Sequence, residues 1–228
     1  MIFLVFLHTE MKRIIYSKFD KSKIPTLPKV VFEGRIFVIT TPSEAQKAVN
    51  YLLSMPILGV DTETRPSFRK GQSYQVSLLQ VSTYDTCFLF RLNRLGLNGP
   101  VKRLLEDTTV PKIGLSWHDD MTGLRRLGNF VPGLFIDIQD HVREIGIEDL
   151  SLQKLYANMF GKNISKRERL TNWETETLND KQKQYAAIDA WACIQLYEEL
   201  LRLKVTRDYE LITEEETKSD EANISEER

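Results

Sequence analysis

Five side chains in three separated segments carry most of the chemistry this sequence offers: Asp61 and Glu63, Asp120, and Tyr185 with Asp189. Asp61 and Glu63 end the apolar run "PILGVDTETR", so a strand there turns both carboxylates to one face. They repel one another unless something positive lies between them. Asp120 opens the helical pattern "WHDDMTGLRRL", directly after the strand-like "PKIGLS". Tyr185 and Asp189 are four residues apart in "QKQYAAIDAWACIQLY" and share a helix face. Hard divalent cations take oxygen ligands, and a pair of them about 4 Å apart can clamp the attacking and leaving oxygens of a phosphoryl displacement. Carboxylates delivered by a strand end and two helices can build such a clamp. Each segment alone also has a plainer account: a solvated strand end, a helix cap for Asp119 or Asp120, a tyrosine hydroxyl satisfying a buried aspartate.

The elements that must hold these residues are legible in outline. "VVFEGRIFVIT" reads as a hairpin or paired strands, and "TPSEAQKAVNYLL" as a helix with Thr41 or Ser43 near its cap and Pro42 early. "ILGVDTE", "YQVSLLQVST", "TCFLFRL", "PKIGLS" and "LFIDIQ" read as strands. "PVKRLLED" reads as a short helix, and the "WHDDMTGLRRLG" helix is expected to end at Gly128. From His141 to about Lys204 the pattern is helical. Strands first, helices last and alternation between predict an α/β fold, a mixed sheet flanked by helices on both faces. The expected organisation is an N-terminal extension over 1–28, a domain over 29–204, and an acidic, largely disordered tail over 205–228.

Composition narrows the class. Of 228 residues, 42% are hydrophobic and 28% charged, as in an ordinary soluble domain. The formal charge of −1 hides an asymmetry: residues 205–228 carry −6, leaving +5 on residues 1–204. A mildly basic body suits a polyanionic partner. The two cysteines, Cys87 and Cys193, fall in apolar patterns without metal or disulfide spacing. "MIFLVFL" at the start is too short to span a bilayer and lacks a cleavage signal, so no membrane is expected and the location expected is the cytoplasm.

With all five residues present in order, the chain resembles the 3′–5′ exonucleases of the DEDD superfamily, tyrosine subclass. Within that group it is similar to the ribonuclease D and Werner-syndrome-helicase-type exonuclease domains. The resemblance runs from about Ile57 to Leu203, through "GVDTETRPSFRKG…VSLLQVS", "KIGLSWHDDMTGL" and "TNWETETLNDKQKQYAAIDAWACIQLYEEL". Its second motif places an apolar residue four after the ligand aspartate, which fits Asp120 with Leu124 and not Asp119.

The resemblance implies a ribonuclease H-like fold and two bound divalent cations, Mg²⁺ or Mn²⁺, held by Asp61, Glu63, Asp120 and Asp189. It implies that Tyr185 orients the attacking water, and that nucleoside 5′-monophosphates leave one at a time from a nucleic-acid 3′ end. "SLLQVS" and "F-x-K-G" lean toward the Werner type and so toward DNA; an RNA-trimming enzyme and an inactive 3′-end binder are the alternatives. Candidate substrate contacts are Arg65 and Lys70 after the first motif, Gln80, Trp117, Lys166 and Arg169 in a basic run, and Trp173 as a base-stacking surface.

Overall fold

The computed structural model describes residues 12–214 and Glu216. In chain order the elements are β1 (Arg13–Tyr16), a 3₁₀ turn (Lys21–Thr26), β2 (Arg35–Ile39), α1 (Pro42–Leu52), β3 (Leu58–Thr64), β4 (Val76–Ser82), β5 (Thr86–Phe90), α2 (Leu92–Leu95) and α3 (Gly99–Glu106). There follow β6 (Lys112–Gly114), α4 (Trp117–Arg125), β7 (Phe135–Asp137), α5 (Ile138–Val142) with a 3₁₀ turn (Arg143–Ile145), α6 (Leu152–Phe160), α7 (Asp180–Thr206) and β8 (Tyr209–Ile212).

Six strands form one mixed sheet in the order β2-β5-β4-β3-β6-β7. β4 runs antiparallel to both neighbours, and the other pairs are parallel. β4 and β5 are buried along their whole length, the mark of strands covered on both faces. One core lies between the sheet and α5, α6 and α7, around Leu78, Leu89, Ile113 and Ile194. The other lies under α1, α3 and α4, around Val60, Leu79, Val81 and Leu104. The expected mixed sheet with helices on both faces is what forms.

α1 begins at Thr41, whose side chain and Glu44 make a reciprocal capping box. α7 begins with the same device, Asn179 with Gln182, and ends at Arg207 in a left-handed conformation. This 27-residue helix crosses the centre of the sheet. Its small face, Ala186, Ala187 and Ala190, is fully buried. A Cβ on Gly59 would lie 1.9 Å from the Ala190 carbonyl oxygen, so only glycine at that point of β3 allows backbone to approach backbone.

Three expectations are corrected. "VVFEGRIFVIT" is no hairpin: the Gln184 amide takes both backbone groups of Phe32, leaving only Arg35–Ile39 to pair, in parallel with β5. α4 stops at Arg125, short of Gly128. Arg13–Tyr16 and Tyr209–Ile212, expected in an N-terminal extension and a largely disordered tail, form strands. β1 and β8 pair in parallel, Arg13 opposite Tyr209 through Tyr16 opposite Ile212. Ile15 is fully buried, and Asn158 accepts from the Tyr16 N–H and donates to its carbonyl. Two strands this short, 190-odd residues apart, carry no local pairing signal. The apolar start and the end of the acidic segment lie outside the described residues. Among those described, no helix is long and apolar enough to cross a membrane.

Candidate metal centre and substrate groove

β3 positions the first pair of carboxylates. Gly59, Asp61 and Glu63 share the face toward α7, and Thr62 points to the other face. A bulge between Glu63 and Thr64 ends the regular pairing just past the acids. α7 lies close over Gly59, so Asp189, one residue before Ala190, meets the strand end. Oxygens of Asp61, Glu63 and Asp189 lie within 4.8 Å of one another. Glu63 and Asp189 are each 6% exposed. Gln80, directly opposite Asp61 on β4, donates from Nε2 to Asp61 Oδ2 at 3.0 Å.

Asp120 arrives from the opposite face of β3. Ser116, before α4, sits in the left-handed region at φ 64°. The Asp137 carboxylate accepts from the Ser116 and Trp117 N–H groups at 3.0 and 2.9 Å, which anchors the helix start. Asp120 then accepts a short hydrogen bond from the Thr62 hydroxyl. It stands beside the three-carboxylate group without joining it, near enough for its charge to act on Asp61. Asp119 is exposed and faces away.

The electrostatics are those of acids confined together. Burial, then the charges of Asp120 and Asp189, holds Asp61 far above the usual carboxylate range. Burial and Asp61 push Glu63 up to about 10. Burial raises Asp189 to about 7, against a hydrogen bond from Tyr185 and the charge of Lys166. Asp120 rises to about 6, through burial and, less, Asp119 and Asp137. Burial and the adjacent Asp189 and Glu63 keep the Tyr185 hydroxyl protonated. Two buried acids and two half-buried ones, with two cationic side chains nearby, form a site for positive charge. An all-oxygen donor set suits a hard divalent cation.

A cavity of about 160 Å³ opens onto Asp61, Tyr185 and Asp189, with Lys166, Arg169, Gln153 and Cys193 in its walls. Lys166 and Arg169 thus face the acids, Arg169 acting on Glu63 and Lys166 on Asp189. Past the first motif lies a groove of about 480 Å³ lined by Arg65, Phe68, Arg69, Tyr74, Leu170 and Asn172, among others. Arg65 stacks on Tyr74 at 4.6 Å and pairs with Glu174 at 3.1 Å. Lys70 is exposed in the turn before Gly71 and outside the groove wall.

Three candidate substrate contacts are corrected. Trp173 is fully buried against Tyr185, ring centroids 5.9 Å apart, and offers no face to a base. Trp117 is packed edge-on against Phe135 at 4.8 Å. Gln80 is fully buried and holds Asp61 in place of a ligand. Sequence reasoning missed Phe68, 83% exposed beside the groove. It opens the "F-x-K-G" stretch, whose resemblance was noted without a contact being assigned to the ring. Thr62 was hidden between two louder acids.

The model of the 3′–5′ exonuclease family matches residues 36–204, most of the chain and all five residues. The chain belongs to the 3′–5′ exonuclease family. Its relatives include a 3′–5′ exonuclease of Arabidopsis thaliana, 29% identical over 81% of this chain and 70% of that protein. Another is the mouse bifunctional 3′–5′ exonuclease/ATP-dependent helicase WRN, 29% identical over 63% of this chain but only 11% of its own length. Among solved structures, the Aedes aegypti Nibbler exonuclease domain superposes with a TM-score of 0.67 at 19% identity, covering 77% of this chain and 90% of that one. Escherichia coli RNase D gives 0.65 at 20% identity, over 78% of this exonuclease and 52% of RNase D. The fold is ribonuclease H-like. In this exonuclease the matched region stops short of β1 at one end and β8 at the other.

Proposed function

We propose that this exonuclease removes nucleotides singly from the 3′ end of a nucleic acid, releasing nucleoside 5′-monophosphates, with DNA favoured over RNA. The observation that carries this reading is the meeting of Asp61, Glu63 and Asp189 oxygens within 4.8 Å, with Tyr185 and Asp120 beside them. Asp61, Glu63, Asp120 and Asp189 would hold a pair of Mg²⁺ or Mn²⁺ ions. Bound there, the ions would supply Lewis acidity and neutralise charge developing on the displaced phosphodiester.

The chain's own groups do the rest. Tyr185, kept protonated by burial among acids, donates to Asp189 and offers its hydroxyl oxygen to position water; it is no base at neutral pH. Lys166 and Arg169 face the acids from the cavity wall and meet the phosphate of the bond to be broken. The Arg65–Tyr74 stack and exposed Phe68 give the terminal nucleotides an apolar and cationic groove. The lean toward DNA rests on the first-motif resemblance to the Werner type. A Trypanosoma brucei RNase D solved with RNA, similar in fold, keeps RNA in view as substrate.

The test uses matched 5′-labelled single-stranded DNA, 3′-recessed DNA and single-stranded RNA, each with Mg²⁺, Mn²⁺ or EDTA. A metal-dependent ladder shortening from the 3′ end, with 5′-monophosphates released and DNA degraded faster, is expected. Products bearing 3′-phosphates would overturn the mechanism, and faster RNA trimming would reassign the substrate.

A further inference from the structure

The segments outside the matched family region form an annex whose position relative to the catalytic cavity can be traced bond by bond. The chain leaves β1 and reaches Phe19, whose N–H donates to Asp149 Oδ2 at 2.6 Å. The other Asp149 oxygen pairs with Lys154 Nζ, on α6, at 2.7 Å. Beside Lys154, the Gln153 amide donates to the Ile164 carbonyl at 2.6 Å and to Asn163 Oδ1 at 3.1 Å. Two residues beyond Ile164 is Lys166, in the wall of the catalytic cavity. The first turn of α6 therefore ties the annex to the basic loop of the third motif.

This path ends in a strip of cations, two of which, Lys166 and Arg169, also face the acids of the cavity. Asp20 caps the 3₁₀ turn by accepting from the Ser22 N–H and hydroxyl, and Lys21 and Lys23 project exposed from that turn. Lys154 is neutralised by Asp149, and Lys18 by Glu148 and Glu214. Lys21, Lys23, Lys166 and Arg169 have no ion-pair partner among the described residues. Burial first, then Arg169, disfavours the Lys166 charge, against the pull of Asp189; Lys21 and Lys154 also lie near enough to add to it. Like charges gathered on one surface repel and cost stability unless a polyanion covers them.

We propose that the annex is a nucleic-acid track. A single strand whose 3′ end lies in the catalytic cavity runs its 5′-ward phosphates over Lys166 and Arg169 and on to Lys21 and Lys23. This rests on the exonuclease reading and extends it: substrates long enough to reach the annex bind more tightly than those that fill the cavity alone. β8 serves the track by fixing β1, and through it the 3₁₀ turn, against α6.

The test separates the two readings. Equilibrium binding of a 5′-fluorescein single-stranded DNA of about 20 nucleotides is followed in EDTA between about 50 and 200 mM salt. Lys21→Glu should weaken binding several-fold, and the milder Lys21→Gln should lower the salt slope by about 0.7, one phosphate contact on a single strand. Lys47→Glu, an equal charge change on α1, serves as the control and should leave both unchanged. With Mn²⁺, hydrolysis of a trinucleotide by Lys21→Gln should match wild type, while KM for the long strand rises. Wild-type affinity and slope in both Lys21 variants, or an equal loss in Lys47→Glu, would overturn the track. So would an equal loss on the trinucleotide. If wild type hydrolyses nothing yet Lys21→Gln loses slope, the catalytic reading falls and the track stands.

Discussion

The molecule treats buried charge in two opposite ways. Lys112 on β6 has a fully buried side chain, and its ammonium donates to the Asp107 and Val110 carbonyls, each at 2.8 Å, with the Asp107 carboxylate 3.8 Å away. Burial still lowers its pKa to about 8, but every nearby dipole is aimed at it. Arg91, 1% exposed, likewise gives its guanidinium to the Thr175 and Glu176 carbonyls. Asp61, Glu63 and Asp189 are held against one another, with their nearest compensation in two cavity-wall cations. A buried charge answered by its own chain is structural. A buried charge left short of compensation is preorganised for something that arrives from outside.

Removing one carboxylate should have the largest effect. Asp61→Asn should cut turnover by at least roughly a hundredfold, several kcal/mol of lost charge stabilisation. In EDTA the same variant should melt higher than wild type, because one of the crowded acids is gone. Mn²⁺ should then raise the melting temperature of wild type and not of the variant. A variant that is both inactive and less stable in EDTA would break the contrast between the two regions.

The structural charge should behave in the reverse sense. Lys112→Ala removes an apolar stem and leaves two carbonyls without their donor, so about 3 kcal/mol of stability should go. Calorimetry should show a fall of roughly 10 °C. Activity per folded molecule at low temperature should stay near wild type, since Lys112 touches none of the acids.

How much of this was readable in advance follows from the range of each interaction. Asp61 with Glu63, and Tyr185 with Asp189, declare themselves through strand and helix periods of two and four residues. Asp120 needed the family spacing to separate it from Asp119, and the structure supplies the physical reason: only Asp120 reaches Thr62. Gly59 looked like an ordinary strand glycine, because its role depends on a helix more than a hundred residues later. Gln80 and Trp117 were read as substrate contacts from nearness to the motifs, which is blind to which side of a buried strand or helix a side chain takes. The β1–β8 pair was invisible because neither short strand carries a local pairing signal, and the acidity of residues 205–214 pointed the wrong way.

pH sharpens the contrast next. The folded pKa values of Asp189, about 7, and Asp120, about 6, lie above the usual carboxylate value near 4. Between about pH 4 and 7 the folded state therefore keeps protons that the unfolded state has released, and stability falls as pH rises through that window; Glu63, pushed up to about 10, and Asp61 carry the fall past pH 7. The slope per proton is at most about 1.4 kcal/mol per pH unit. Lys112, depressed to about 8, gives the opposite slope only above pH 8, so melting in EDTA between pH 5 and 8 reports the acids. Mn²⁺ competes with those same protons, so its stabilising increment should grow with pH over the same range. A metal increment independent of pH would mean the ion binds elsewhere.

The smallest expected effect isolates the neutral side chain that holds Asp61. Gln80 is fully buried; its Nε2 orients Asp61, while its Oε1 has no hydrogen-bond partner among the described residues. Gln80→Met keeps the volume, drops the donor and also removes the unanswered oxygen. The two changes in hydrogen bonding offset, so the melting temperature in EDTA should move little. Asp61 loses its fixed orientation, and apparent Mn²⁺ affinity should fall roughly tenfold, as for other groups that support metal ligands. Raising Mn²⁺ should then restore turnover. A purely structural Gln80 predicts the reverse, a lower melting temperature with unchanged metal dependence, and titrating activity against Mn²⁺ in both proteins distinguishes the two.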